Sequence, residues 1–277
     1  METVEARTIF SPATGFIRRG GFDLTCNPYL GCTFGCKYCY AMFLPQNRKP
    51  RELWGKWFSA KRNAVDLARR EVPKISGKAV YFSSVTDPYQ PAERTMLLTR
   101  GILREMQPYQ PRVVIQTRGT LVARDIDILS RFRSLRVNLT MGSDSERVRE
   151  LLEPKSPPYE KRWEAARLLV EAGIPVGLCV TPVLPLENPE RFADRIASFG
   201  AAVVVTQGFH DAAGAFGADT SPGALKVVDG LDWGPEKYRK FVECLRKQIR
   251  VYEGEKGFFP PSPPPETAQG LFPEKRG

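Results

Sequence analysis

Residues 78–117 read KAVYFSSVTDPYQPAERTMLLTRGILREMQPYQPRVVIQT. The opening stretch, 78–85, is short, apolar and rich in β-branched and aromatic residues, so it predicts a strand. Residues 91–106 place apolar side chains at helical spacing behind an initial proline, and predict a helix. Residues 112–117 predict a second strand. Strand, helix and strand with short connections form a parallel unit with a buried sheet.

The rhythm extends both ways from this unit. Upstream, 21–27 predicts a strand and 64–72 a helix. Downstream come a helix at 124–132, a strand at 135–141 and a helix at 159–173 that stops on Gly173. A strand at 174–185, a helix at 188–200 and a strand at 201–207 complete six alternations. The pattern leaves open whether the sheet closes into a barrel. Past Gln207 the chain is glycine-rich and aperiodic, so 208–230 predicts a long loop over one end of the sheet. Residues 234–249 predict a C-terminal helix with Tyr238, Phe241, Val242, Leu245 and Ile249 on one face. The expected division is an N-terminal extension (1–20), a core (21–209), a C-terminal loop and helix (210–254), and a proline-rich, disordered tail (255–277).

Composition narrows the function classes. The 277 residues hold enough apolar material for one large domain or two small ones. No apolar run is long enough to span a membrane, and the first ten residues lack the features of a secretory signal. Six cysteines, three of them clustered, fit a metal or redox site in a reducing compartment, so a cytoplasmic location is expected. A single histidine, His210, argues against a histidine triad or a histidine-rich zinc site. The net charge of +10 favours a polyanionic partner or marks a solvated basic surface, and charge alone does not separate the two.

The cluster of thiols lies in NPYLGCTFGCKYCYA, residues 27–41, as C-x3-C-x2-C. Cys32, Cys36 and Cys39 supply three ligands where a four-iron cube has four metal corners, so one iron is left open to a small chelating molecule. Gly31 and Gly35 let the backbone approach inorganic sulfides. Two alternatives stand beside this: a zinc site completed by Cys26, and three structural thiols.

The motif, with the aromatic Tyr38 before its last cysteine, resembles the signature of the radical SAM superfamily. SSVTDPYQPAE, LTRGILREM, QTRGTLVARDIDIL and LEPKSPP follow in an order similar to the branch related to spore photoproduct lyase, over residues 8–209. The resemblance implies a partial (β/α)6 TIM-like barrel, a [4Fe–4S] cluster on Cys32, Cys36 and Cys39, and S-adenosylmethionine (SAM) on the open iron. It also implies an external one-electron reductant of flavodoxin or ferredoxin type. An electron passed to the sulfonium breaks a carbon–sulfur bond, and the resulting 5′-deoxyadenosyl radical abstracts hydrogen from a substrate. The cofactor is expected at the C-terminal ends of the strands. There Thr86 and Asp87 face its ammonium, Arg118 its carboxylate or ribose, Thr140 a ribose hydroxyl and Tyr38 the adenine. Singly, each also reads as a polar strand end, and Asp87 as a turn initiator before Pro88.

The resemblance breaks at Ser84. Photoproduct lyases carry a hydrogen-donating cysteine there, and an O–H bond is far harder to break homolytically, which argues against thymine-dimer repair. Cys179 is a candidate replacement donor, set against a reading as small core packing. Cys244 reads as core, and so, by default, does Cys26.

Residues 48–62 interleave Arg48, Lys49, Arg51, Lys56, Lys61 and Arg62 with Trp54, Trp57 and Phe58. Bases that track phosphates and rings that stack on bases suit a nucleic acid, whereas a connecting loop with its tryptophans packed on the barrel is the structural alternative. Two function classes follow. One is a lyase-like radical SAM enzyme acting on a nucleic acid, a peptide or a small natural product. The other is a non-catalytic iron–sulfur or zinc protein that binds nucleic acid.

Overall fold

The structure is a computed structural model and describes residues 2–47, 49–209 and 220–262. Arg48, His210 and the tail beyond Ser262 lie outside these residues. In chain order the strands are β1 (Glu2–Val4), β2 (Phe10–Pro12), β3 (Leu24–Cys26), β4 (Tyr29–Leu30), β5 (Ser59–Lys61), β6 (Ala79–Phe82), β7 (Arg112–Thr117), β8 (Leu135–Thr140), β9 (Val176–Val180), β10 (Val203–Thr206) and β11 (Tyr252–Glu253). The helices are α1 (Gly15–Arg19), α2 (Ala64–Glu71), α3 (Glu93–Met96), α4 (Leu98–Met106), α5 (Ile126–Leu129), α6 (Glu146–Leu152), α7 (Tyr159–Glu171), α8 (Pro189–Ser198), α9 (Pro222–Gly230) and α10 (Pro235–Arg246).

Eight strands form one sheet in the order β11-β10-β9-β8-β7-β6-β3-β2. From β3 to β10 the neighbours are parallel and their spatial order is their chain order. Each crossover therefore steps one place in the same direction, which curls a sheet instead of doubling it back. Antiparallel β2 and parallel β11 border the two edges, so the result is a partial barrel. A smaller sheet, β1-β5-β4, lies beside the cysteine loop.

Side chains alternate along each strand between two faces. Val80, Phe82, Val113, Ile115, Val137, Leu139, Leu178 and Val204 join one core with the helical residues Ile102, Leu103, Met106, Leu169, Phe192 and Phe241. Ala79, Tyr81, Val114, Cys179, Val203 and Val205 line the opposite, inward face with Phe22 and Phe258. Polar side chains share that inward face: the Gln116 amide donates to Thr140 Oγ1 at 3.0 Å, and Arg136 donates to Asn138 Oδ1 at 2.9 Å. Gly177 pairs with Asn138 in the ladder, and a Cβ there would meet the Asn138 oxygen at 2.3 Å; the missing side chain is what lets the asparagine fit.

Several expectations need correction. The strand expected at 78–85 stops at Phe82, where Ser83 takes a left-handed backbone (φ 69°). The helix expected at 91–106 breaks at Leu97 (φ 54°), because the buried Glu93 carboxylate accepts from the Thr99 and Arg100 amides and so starts α4 anew. The helix expected at 124–132 is a 3-10 segment, Thr120–Asp125, followed by one turn of α5. The expected loop over 208–230 contains α9, capped by Ser221 Oγ accepting from Ala224 N. The start of the expected disordered tail is packed: Phe258 is buried against Phe16, the Phe259 carbonyl accepts from Arg136 at 2.7 Å, and the Ser262 carbonyl from Ser134 at 2.6 Å. These residues close the floor of the barrel, at the N-terminal ends of its strands.

Candidate functional site

The cysteine loop follows β4 and leads into a 3-10 turn, Tyr40–Phe43. Gly35 has φ +65°, and a Cβ on it would meet Gly55 Cα at 2.9 Å; two backbones touch here with no room for a side chain. Thr86 Oγ1 donates to the Gly31 carbonyl at 2.5 Å, and the Gln90 amide adds a second bond to it at 3.3 Å. Gln90 Oε1 in turn accepts from Thr33 N at 3.0 Å. On the other side Lys37 N donates to the Leu152 carbonyl at 2.9 Å. The loop is thus pinned by residues 86–90 after β6 and by residues 152–156 after α6.

Cys32 and Cys36 are buried and Cys39 half-buried. Burial pushes the Cys36 thiol up to about 12 and raises those of Cys32 and Cys39. Cys32 also feels both of the other thiols, so the three lie within electrostatic reach of one another. Loading a metal group must therefore drive off protons. Among the described residues no three His, Cys, Asp or Glu side chains gather closely enough for one metal ion, whereas a cube takes its ligands on separate corners. Cys26 is fully buried at the end of β3, and burial raises its thiol; the charges it senses are Lys61 and Glu71. None of the three loop thiols is among those charges, which gives the four-thiol zinc alternative no support. The three thiols, the close-approach backbone and the open barrel end fit a three-ligand cluster.

Asp87 is buried, and burial raises its carboxyl although three donors surround it: Thr117 Oγ1 at 2.6 Å, Tyr89 N at 2.9 Å and Arg118 N at 2.9 Å. Both of its oxygens are engaged in holding the turn and the end of β7. Thr86 likewise braces the loop. Arg118 reaches Glu153 at 2.7 Å and the Tyr38 hydroxyl at 2.9 Å, with its guanidinium over the Tyr38 ring. Thr140 ends β8 on the inward face, and its carbonyl accepts from Arg162 at 3.1 Å.

The sequence reading missed the group at the centre of this arrangement. Glu153 is fully buried and bonded to Arg118, Arg162 and the Tyr38 hydroxyl. Burial pushes its carboxyl up, but Arg162 and Arg118 outweigh that and hold it at about 2. Ser156 Oγ lies 3.8 Å from Cys36 Sγ. Both residues belong to LEPKSPP, a motif visible in the sequence without a visible partner. Arg162 sat unnoticed among the charged residues of α7. Tyr40, also unflagged, is exposed at the mouth and donates to the Ser84 carbonyl.

Cys179 occupies the inward face in a row with Thr140 and Val205. It is fully buried, its thiol donates to Gln116 Oε1 at 3.4 Å, and burial pushes it up to about 12. Cys244 is half-buried against the main core. In the basic stretch the rings are packed, in agreement with the structural alternative. A Cβ on Gly31 would meet the Trp57 ring at 2.8 Å, Lys49 lies over that ring, and Trp54 packs on the main core. Lys49 and Arg62 are paired with Glu2 and Glu5. Among the described residues no helix is long and apolar enough to cross a membrane.

Comparison with known proteins adds the following. The profile of the radical SAM superfamily matches residues 26–198. An uncharacterized protein of Methanocaldococcus jannaschii is 37% identical over 165 residues, 60% of this chain and 62% of that protein. The chain spans about three fifths of the length of the curated relatives it matches. Among solved structures, a double mutant of spore photoproduct lyase with bound AdoMet and dinucleoside spore photoproduct superposes with a TM-score of 0.61 at 16% identity, over 91% of this chain and 81% of that one. SuiB of Streptococcus suis bound to precursor peptide SuiA gives 0.51 at 14% identity, over 86% and 51%. At such identities the likeness is one of fold.

Proposed function

Because the chain belongs to the radical SAM superfamily, we propose that it cleaves SAM reductively and starts radical chemistry on a bound substrate. The family's cofactors, a [4Fe–4S] cluster and SAM, are those of this chain. When bound, they supply one electron and a scissile carbon–sulfur bond, and with them the radical that abstracts hydrogen. The observation that carries the reading is the trio of thiols in one braced loop, each within electrostatic reach of the others.

The protein's own groups contribute position and charge. Glu153 is shared between two guanidiniums, so Arg118 and Arg162 together exceed it by one positive charge. That surplus lies beside Cys36, where it favours thiolate over thiol. It also suits the carboxylate of SAM, with Arg118 as the nearer group and Tyr38 held in place by the same network. Asp87 and Thr86 act through the loop, as positioning residues. The packed lower end and inward face limit the room for water beneath the site.

The substrate we favour is a nucleic acid, on the grounds of the net charge of +10 and the lyase-like fold. Repair of a thymine dimer through Ser84 is not its reaction; a hydrogen returned to product would come from Cys179 or from outside. The half-buried Trp54 and Trp57 favour a second reading, a peptide or small natural product, since one packs on the core and Lys49 lies over the ring of the other. Anaerobic reconstitution, reduction and assay for 5′-deoxyadenosine test the core claim: product is expected from the native protein and none from Cys36→Ala, and equal amounts from both would sink it. Binding that falls steeply with salt marks a nucleic acid, and salt-insensitive turnover the second reading.

A further inference from the structure

The basic stretch that does not serve as a stacking platform has another use. Lys37 sits between two cluster cysteines, with its backbone tied to Leu152 and its side chain exposed. Gly55 touches Gly35 inside the same loop, and exposed Lys56 follows it. Lys155 bridges across, its ammonium donating to the Gly55 carbonyl at 2.6 Å. Exposed Arg51 lies 4.4 Å over the Phe43 ring, just past the last cysteine. Among the described residues Lys37, Lys56 and Arg51 form no ion pair. Within this mainly cationic rim, whose one acid is the exposed Glu52, Leu53 is 40% exposed, a large apolar side chain left to solvent.

Unpaired cations around a small apolar centre, on the outer side of a metal loop, are what an acidic redox protein needs. Charge brings the partner in and the apolar centre seats it, while the exposed position of Lys37 shows that the cluster ligands lie just beneath this surface. We propose that the rim formed by Lys37, Arg51, Lys56 and Lys155 around Leu53 is the docking face for an acidic one-electron donor of flavodoxin type. One electron passes from the flavin hydroquinone to the cluster, leaving a flavin semiquinone. The proposal rests on the cofactor reading above and adds the partner's landing site. Nucleic acid is the rival occupant, disfavoured because the neighbouring tryptophans are packed.

The test uses the reconstituted protein and the variant Lys37→Glu/Lys56→Glu, whose side chains face solvent. Iron content and the visible spectrum establish loading; stopped-flow absorbance follows cluster reduction by a reduced bacterial flavodoxin and, separately, by photoreduced deazaflavin. Calorimetry measures binding of the oxidised flavodoxin. The expected result is reduction by flavodoxin slowed by about 10-fold or more at low salt, with the gap closing as salt rises, weakened flavodoxin binding, and unchanged deazaflavin kinetics. Leu53→Ser is expected to weaken binding without changing its salt dependence. A loaded variant that keeps pace with the native protein overturns the docking face alone. Unchanged reduction with lost binding of a single-stranded oligonucleotide gives the face to nucleic acid and overturns it too. A native protein that holds no cluster overturns the cofactor reading and this one with it.

Discussion

At the mouth of the barrel the buried Arg162 and the half-buried Arg118 share one carboxylate; at the floor Arg136 is buried and, among the described residues, has none. Arg118 and Arg162 flank Glu153; despite burial, that carboxylate raises the affinity of Arg162 for its proton, and Cys36, Tyr38 and then Glu153 raise that of Arg118. Arg136 is satisfied instead by the Asn138 amide, the Phe259 carbonyl and the Phe259 ring, and burial lowers its affinity. The difference teaches what each end is for. A carboxylate fixes charge, keeping a cation available beside the thiols. Carbonyls and a ring merely satisfy donors, which is enough to fasten a floor.

The sharpest way to break the comparison is Glu153→Gln. It strands both guanidiniums, and a loss of about 3–5 kcal/mol is expected in urea unfolding. A loss no larger than that of Arg136→Met would erase the distinction. Acid should act in the same sense. Because the folded carboxyl sits at about 2, below its ordinary range near 4.3, the stability it contributes is present above about 4.3 and is lost as pH falls toward 2. Native urea midpoints should drop through that window, and those of Glu153→Gln should drop less. Arg136→Met removes bonds to a charged donor but also relieves its desolvation; a net loss of about 1–2 kcal/mol is expected, with increased proteolysis after residue 257 as its signature. Cys179→Ala should cost least, about 1 kcal/mol or less by thermal unfolding. If turnover stops while the fold holds, Cys179 is a donor; if turnover is unchanged, it is packing.

Much of this was legible in advance, for definite reasons. Most of the six parallel strands announce themselves because they are buried on both faces and read as short apolar runs, as in VVI and VVV of β7 and β10. The three cysteines are local, and local spacing survives in a sequence. Glu153 and Arg162 were illegible because nothing in a sequence distinguishes a buried charge from a solvated one; only the fold brings Arg118 and Tyr38 to them. The break at Leu97 was hidden for a related reason, since a carboxylate four residues upstream caps α4 from within what reads as one continuous helix. The packed start of the tail was masked by its prolines, which look the same whether extended against a sheet or free.

That sealed lower end has a consequence for traffic. With Phe258 packed into the lower end, the way to the inward face among the described residues is the upper rim, where Tyr40 stands exposed. For the chemistry proposed above, that geometry makes order of entry matter, because the deeper ligand has to be seated first.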